Sequence, residues 1–361
     1  MASVLPGRLA ARGDLTALEG YHSPQVHVDV RLNTNESPFP PPAEWQELLA
    51  DEVGSIDFHR YPDRAATALR SDIAALHRVA PEQVFVANGS NEVLQTILLA
   101  YSGFGRTVLT FEPTYAMHGQ IARIVGATVV EAHRRSLGGL DRAEAAAAVA
   151  SVRPAVTFLC SPNNPTGVLE SSDVIEQTLA AVAEVPGLLV VDEAYGQFAP
   201  WSAQELFSDD RPLIVTRTFS KTWSMAAARL GYCVAPTWVV EELDKVVLPY
   251  HLDSMKQAAG RLAIRFEHHM RTRVEDLVIE RERLVRALAL LDVEQWPSSA
   301  NFVLFRPLRI DASAVWRGLV ERSVLVRNCA SWPGLDGCLR VTIGTVEEDD
   351  RFIAALREVL G

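Results

Sequence analysis

Cysteine is scarce in this chain. The four present, Cys160, Cys233, Cys329 and Cys338, form no Cys-x-x-Cys unit and have no histidine at zinc-ligand spacing, so neither a metal site nor a disulfide scaffold is expected. All four read as buried free thiols, Cys329 and Cys338 being the nearest pair. Basic excess is also missing. Lysine and arginine number 34 against 45 aspartate and glutamate, a net charge of −11, which argues against binding nucleic acid or an anionic membrane surface. Charges interrupt each apolar run before it reaches the ~18 residues needed to cross a bilayer. Arg8, Arg12, Asp14 and Glu19 break up the first twenty residues, so no secretory leader is expected, and with the cysteine usage this points to the cytoplasm. Phosphate-loop, GxGxxG, GxSxG and HExxH signatures are absent, and no repeat is visible.

What is present is the composition of an ordinary globular protein, 48% apolar and 22% charged over 361 residues, long enough for two domains at ~150 residues each. Short β-branched runs alternate with amphipathic stretches from about residue 84 to 235. Val84–Ala87, Thr107–Phe111, Thr128–Glu131, Ala155–Cys160, Leu188–Val191, Leu213–Arg217 and Tyr232–Ala235 read as strands, most of them apolar on both faces. Helical patterns fall at Glu92–Tyr101, Tyr115–Val125, Arg142–Val152 and Asp173–Glu184. Such alternation predicts an α/β fold, a mostly parallel sheet covered by helices on both faces. Residues from about 255 to 291 carry a long charged helical pattern. Strands at Asn301–Phe305, Val324–Arg327 and Leu339–Ile343, with helices near Ala312–Arg322 and Val346–Leu360, then read as a smaller α+β domain. The expected division is a large domain over 36–252 and a small one from 1–35 plus 253–361. The proline-rich stretch Ser37–Pro42 is a stiff connector between them.

Chemistry concentrates just after predicted strand ends, where open α/β sheets bind ligands. Asn88-Gly89-Ser90-Asn91-Glu92 joins a strand to a helix whose first turn can offer N–H groups to an anion, although Ser90 or Asn91 could equally be a simple cap. In Ser161-Pro162-Asn163-Asn164-Pro165-Thr166-Gly167, two prolines restrict a pair of amides, which is a functional loop or an ordinary turn. Asp192-Glu193-Ala194-Tyr195 ends a very apolar strand. A carboxylate there is costly without a cation or donor, so it is either a scaffold ion pair or the holder of a protonated ring nitrogen. Thr218-Phe219-Ser220-Lys221 with Arg229 suits a lysine amine activated by nearby cations, whereas a lone lysine would be a solvated surface group.

In order and spacing these clusters resemble the fold-type-I pyridoxal-phosphate aminotransferases, over essentially the whole chain. Arg31-Leu32-Asn33-Thr34-Asn35-Glu36-Ser37-Pro38 and Arg60-Tyr61-Pro62-Asp63 look like the histidinol-phosphate aminotransferase branch, as do Val326-Arg327 and Leu339-Arg340-Val341-Thr342-Ile343-Gly344. The loop reads GSNE, with Asn91 where that branch more often has aspartate.

The resemblance implies roles residue by residue. Lys221 would carry pyridoxal 5'-phosphate as a Schiff base and act as general base and acid. Asp192 would pair with the pyridine nitrogen, and Asn164 and Tyr195 would donate to the ring oxygen, Tyr195 counting among the catalytic groups. Tyr115 would stack on the ring. The cofactor phosphate would take Ser90, Asn91, Thr218, Ser220, Arg229 and, from a partner subunit, Tyr61, which implies a homodimer with shared sites. Tyr21, Asn35, Arg327 and Arg340 would bind the substrate, the arginines clamping a phosphate. The implied reaction is amino transfer between histidinol phosphate and 2-oxoglutarate in histidine biosynthesis. Alternatives are an aromatic-amino-acid aminotransferase, a threonine-phosphate decarboxylase, or, in another class, a non-catalytic cofactor-binding regulator. Regulators of that kind usually carry an added DNA-binding domain, for which no spare basic segment exists here.

Overall fold

The structure, a computed structural model, describes Leu9, residues 11–16, Leu18, Gly20 and residues 26–361. Tyr21 lies outside the described residues. Along the chain come β1 (Val30–Leu32), α1 (Ala43–Gly54), α2 (Thr67–His77), β2 (Val84–Ala87), α3 (Ser90–Tyr101), β3 (Thr107–Glu112), α4 (Met117–Ile124), β4 (Thr128–His133) and α5 (Arg142–Val152). Then follow β5 (Val156–Cys160), α6 (Ser172–Glu184), β6 (Leu188–Asp192), β7 (Leu213–Thr218), β8 (Gly231–Val234), α7 (Thr237–Val246), α8 (Ser254–Arg265) and α9 (Glu267–Leu288). Last are β9 (Val293–Gln295), β10 (Phe302–Pro307), α10 (Ala312–Glu321), β11 (Val324–Asn328), β12 (Leu339–Thr342) and α11 (Val346–Leu360).

The larger sheet has seven strands in the order β2-β8-β7-β6-β5-β3-β4. Its alternate residues fill two layers, as two-sided burial requires. Phe85, Val108, Phe158, Val190 and Ile214 pack with residues of α3 and α7. On the other face Leu109, Leu159, Leu189 and Val215 meet α5 and α6, while Val84, Val86 and Tyr232 meet residues of α1, α2 and α8. The local signals are ordinary ones. Asp141 caps α5 by accepting from the Ala143 and Glu144 amides, and Ser171 caps α6 through the Val174 amide.

One strand departs from the parallel pattern. β8 runs antiparallel to both β2 and β7, pairing Gly231 with Ala87 and with Thr218. A hydrophobic strand carries no label of direction, so composition could not reveal this. The consequence is functional, because the start of β8 lies at the same sheet edge as the ends of β2 and β7. That edge brings Arg229 beside Ser220. Gly231 permits the approach, since a Cβ there would stand 2.3 Å from the Ser90 amide nitrogen.

The second sheet runs β1-β11-β12-β10-β9. β1 and β9 did not emerge from the sequence pattern, each being only three residues long. β1 joins by pairing Arg31 with Leu325, parallel to β11 and distant in sequence. The charged stretch from 255 divides into α8 and α9 at Phe266, whose ring is buried in a cluster with Trp45 and Trp223. α9, α10 and α11 cover this sheet through Leu284, Leu319 and Phe352. All four cysteines are free and buried. Among the described residues no helix is long and apolar enough to cross a membrane.

Candidate active site

The carboxyl ends of β2, β5, β6 and β7 and the start of β8 surround a cavity of about 560 Å3, which the second sheet closes with Arg327 and Arg340. Ser90, Asn91, Tyr115, Asn164, Asp192, Tyr195, Thr218, Ser220, Lys221 and Arg229 all line it, as do Asn35, Arg327 and Arg340. Tyr61 does not. It is 79% exposed and stacks on Tyr250, ring centroids 4.4 Å apart.

One end of the cavity is built for an anion. α3 starts at Ser90 after Gly89, which adopts φ 83°, and no side chain caps it. Neither Ser90 nor Asn91 is therefore the cap that the sequence allowed. The first-turn N–H groups and the positive end of the helix dipole remain directed at this end. Asn91 Oδ1 instead accepts from the Tyr115 hydroxyl at 3.1 Å, which fixes the tyrosine. Thr218 Oγ1 and Ser220 Oγ are 2.9 Å apart, and Arg229 donates to Ser220 Oγ at 3.1 Å.

At the centre, the Lys221 ammonium donates to the Thr34 carbonyl at 2.9 Å and lies 5.9 Å from the Tyr195 ring centroid. Burial, aided by the Arg340 and Arg229 charges, lowers its pKa to about 8, although Glu36 opposes the shift. The amine thus feels the charge of two cations, Arg340 and Arg229. Asp192 is buried at the end of β6, where Oδ1 accepts from the Ala194 amide and Oδ2 lies 2.9 Å from His118 Nε2. His118 is fully buried and stacked on Phe158 with centroids 4.6 Å apart. Sequence reasoning missed His118, since a histidine on an apolar helix face reads as core. Its position one turn after Tyr115 was the available signal.

The two amides of the Asn-Asn pair divide their work. Asn163 is fully buried and tied to the scaffold, accepting from Thr114 Oγ1 and donating to the Pro113 carbonyl and Thr166 Oγ1. Asn164 faces the cavity, its Oδ1 accepting from Arg340 at 2.5 Å. The Tyr195 hydroxyl accepts from Asn35 Nδ2 at 2.9 Å, and burial first of all pushes its pKa up to about 12, so it stays protonated. Asn35 itself adopts φ 54° and is held at both ends by Thr342, which donates to Oδ1 and accepts from its amide. It therefore orients Tyr195 while itself lining the cavity, where the resemblance implies substrate contact.

At the far end Arg327 and Arg340 stand directly opposite each other across the β11–β12 ladder. Like charges at opposed positions are unfavourable by themselves. Arg340 is buried, donates to the neutral oxygens of Asn164 and Asn33, and leaves Nε without a hydrogen-bond partner. The cavity thus carries cations at both ends, with an activated amine and a buried carboxylate between them.

The family model for aminotransferase class I and II matches residues 28–356. A histidinol-phosphate aminotransferase of Mycobacterium marinum is 42% identical over 96% of this chain and 91% of its own length. One from Frankia casuarinae is 42% identical over 98% of this chain and 90% of its own. Among solved structures, histidinol-phosphate aminotransferase from Sinorhizobium meliloti in complex with pyridoxal-5'-phosphate superposes with a TM-score of 0.85 at 25% identity, covering 92% of this chain and 91% of that one.

Proposed function

The chain belongs to the histidinol-phosphate aminotransferase family of the class I and II aminotransferases, and from that premise we propose how its own residues transfer an amino group between histidinol phosphate and 2-oxoglutarate. The observation that carries the substrate is the opposed pair Arg327 and Arg340 at one end of the cavity, separate from the anion end at Arg229. Two phosphates, one on the cofactor and one on the donor, need two such ends.

Pyridoxal phosphate fits the donor set present here: uncapped helix N–H groups, two hydroxyls and Arg229 for its phosphate, Lys221 for its aldehyde carbon, Asp192 for its ring nitrogen. When bound, it supplies an electron sink for charge developing on the carbon that bears the amine. Asp192 keeps a proton on the ring nitrogen, because a buried carboxylate is offset by a cation beside it. His118 holds Asp192 in place. Asn164, with its oxygen taken by Arg340, and Tyr195, kept protonated, donate toward the ring oxygen. Lys221 takes the proton from the donor carbon and returns it at the neighbouring position, a role that suits an amine titrating near 8. Arg340 and Arg327 receive the donor's phosphate, and Arg340 the carboxylate of the 2-oxo acid.

The test of substrate is direct. The protein is mixed separately with histidinol phosphate, phenylalanine and threonine phosphate, and the cofactor absorbance and products are followed. Faster turnover of phenylalanine replaces this reading with an aromatic aminotransferase. Release of CO2 from threonine phosphate makes it a decarboxylase.

Arg327→Ala is expected to lose about 10- to 150-fold in kcat/KM toward histidinol phosphate, the equivalent of one charge-assisted hydrogen bond. Glutamate, which depends mainly on Arg340, loses clearly less. Equal losses make Arg327 a support of the fold.

The active unit is a homodimer whose sites are shared, with Tyr61 reaching the partner's cofactor phosphate. Exposure supports this: Tyr61, Phe58 and Leu248 are 79%, 69% and 74% exposed, large apolar side chains of the kind a subunit interface covers. Mixing Tyr61→Ala chains with Lys221→Ala chains creates heterodimers with one intact site, and random pairing predicts about a quarter of wild-type activity. Activity no higher than that of either parent excludes the shared site.

A further inference from the structure

Two carboxylates line the cavity, Asp192 and Glu36. Asp192 is engaged with His118 and the Ala194 amide. Glu36 is exposed, at the cavity mouth, and takes part in no hydrogen bond or ion pair among the described residues. Lys221, Arg229 and Arg340 share the cavity with it, yet each donates to neutral oxygens. Lys221 donates to the Thr34 carbonyl, Arg229 to Ser220 Oγ and the Ala226 carbonyl, and Arg340 to Asn164 Oδ1 and the Asn33 carbonyl. The backbone that carries Glu36 is nevertheless fixed on both sides. Asn35 is held by Thr342 at its amide and side chain and by Asn301 Nδ2 at its carbonyl, while Ser37 Oγ accepts from Ser224 at 2.9 Å. The carboxylate thus has an anchored root and an unpartnered tip, on the wall of a cavity built for a ligand.

We propose that Glu36 is a specificity-determining residue that receives the imidazole ring of the amino donor, and so favours a donor with an N–H or cationic side chain over a plain phosphomonoester amine. The inference rests on the reading of histidinol phosphate as that donor. Such a donor brings three polar groups. Its phosphate is drawn to the arginines of the second sheet and its amine to the cofactor carbon at Lys221, which leaves the ring. An ionised carboxylate only accepts hydrogen bonds, and an imidazole offers one N–H when neutral and two, with a positive charge, when protonated. The ring and the phosphate leave the amine-bearing carbon on different arms, so the ring needs an acceptor away from the arginines. Glu36 is the unengaged carboxylate that lines the cavity. It also discriminates by repulsion, since a donor whose side chain ends in a carboxylate meets a like charge there.

The experiment uses the cofactor-loaded protein and Glu36→Gln, which keeps the shape of the side chain and removes its charge. KM for histidinol phosphate is expected to rise about 2- to 10-fold, with kcat changed less, while KM for glutamate stays level or falls. The ratio of variant to wild-type KM widens as pH falls from about 8 to about 6, because a free imidazole titrates at ~6.5 and the carboxylate then faces a full cation. Taking that ratio against the one for glutamate removes any effect carried through Lys221, which both donors use. Two competitors separate the groups of the donor. Histamine, an imidazole amine without phosphate, competes less well in the variant, and phosphoethanolamine, a phosphomonoester amine without imidazole, competes equally in both proteins. This pair also serves if histidinol phosphate proves not to be turned over, a result that overturns the substrate and leaves the place of Glu36 to be judged by the two competitors. A uniform rise in KM for both donors, a ratio that does not change with pH, or equal weakening of both competitors overturns the proposal. Glu36→Lys provides a second reading at the same exposed position. It should weaken both imidazole ligands further and lower KM for glutamate, and no further weakening has the same overturning force.

Discussion

Lys221→Ala is expected to lower amino transfer by at least ~10⁴-fold, the largest effect of any single substitution in this chain. Two functions vanish together, the covalent hold on the cofactor and the base that moves the substrate proton. Alanine leaves nothing within reach to replace either, because Tyr195 stays protonated up to about 12 and Asp192 is already engaged with His118 and the Ala194 amide. Borohydride reduction followed by peptide mapping should put a pyridoxyl label on Lys221 in the wild type and none in the variant. A label on another lysine removes the assignment. The pH dependence follows from the same amine. Its lowered pKa means that the reactive neutral form of the cofactor-free protein grows in as pH rises through about 8, where an ordinary lysine needs ~10.4. The rate of pyridoxal phosphate uptake should therefore climb between pH 7 and 9 and level off above it. A rate still rising steeply at pH 10 would mean that Arg340, Arg229 and burial do not activate Lys221.

Asp192→Asn comes next, with turnover falling by ~10²–10³ while the fold and cofactor content are retained. The amide is nearly isosteric and can still hydrogen-bond to His118, so packing at the end of β6 survives. What it cannot do is carry the negative charge that keeps a pyridine nitrogen protonated. The loss belongs in kcat more than in KM, since the substrate's own contacts lie at the arginine end of the cavity. Near-normal kcat would reduce Asp192 to an anchor for a buried histidine. His118→Phe separates the two possibilities further. It removes the hydrogen bond to Asp192 but leaves the carboxylate, so a smaller loss than in Asp192→Asn is expected.

Much of this site was readable because its pieces are local. A strand end and the turn after it form one contiguous stretch, and Ser90, Asn91, Asn164, Asp192, Tyr195, Thr218, Ser220 and Lys221 sit in four of them. Asn88–Glu92 and Thr218–Lys221 could be placed from pattern alone, since hydrophobic periodicity locates strand ends and the parallel sheet brings those ends to one edge. The difference between Asn163 and Asn164 could not. Adjacent residues point in opposite directions, and which of two amides faces the scaffold depends on Thr114 and Pro113, some fifty positions away. Asn35 is a similar case. Resemblance put it near the substrate, and its partners, Tyr195 in the turn after β6 and Thr342 in β12, lie far from it in sequence.

By itself, then, the sequence determined the α/β class, the strands whose ends surround the cavity, and the places along them of the lysine, aspartate and arginines proposed for the site. These depend on residue type, on period and on short spacing, all of which are properties of contiguous chain. Tertiary structure alone decided the direction of β8, which carries Arg229 to Ser220 and the start of α3. It also decided the pairing of His118 with Asp192, the Thr34 carbonyl that receives Lys221, and the packing of Trp332 against Arg327. Each joins groups from separate elements, and what selects it is the burial of apolar faces elsewhere, a cooperative energy that no single stretch of residues records.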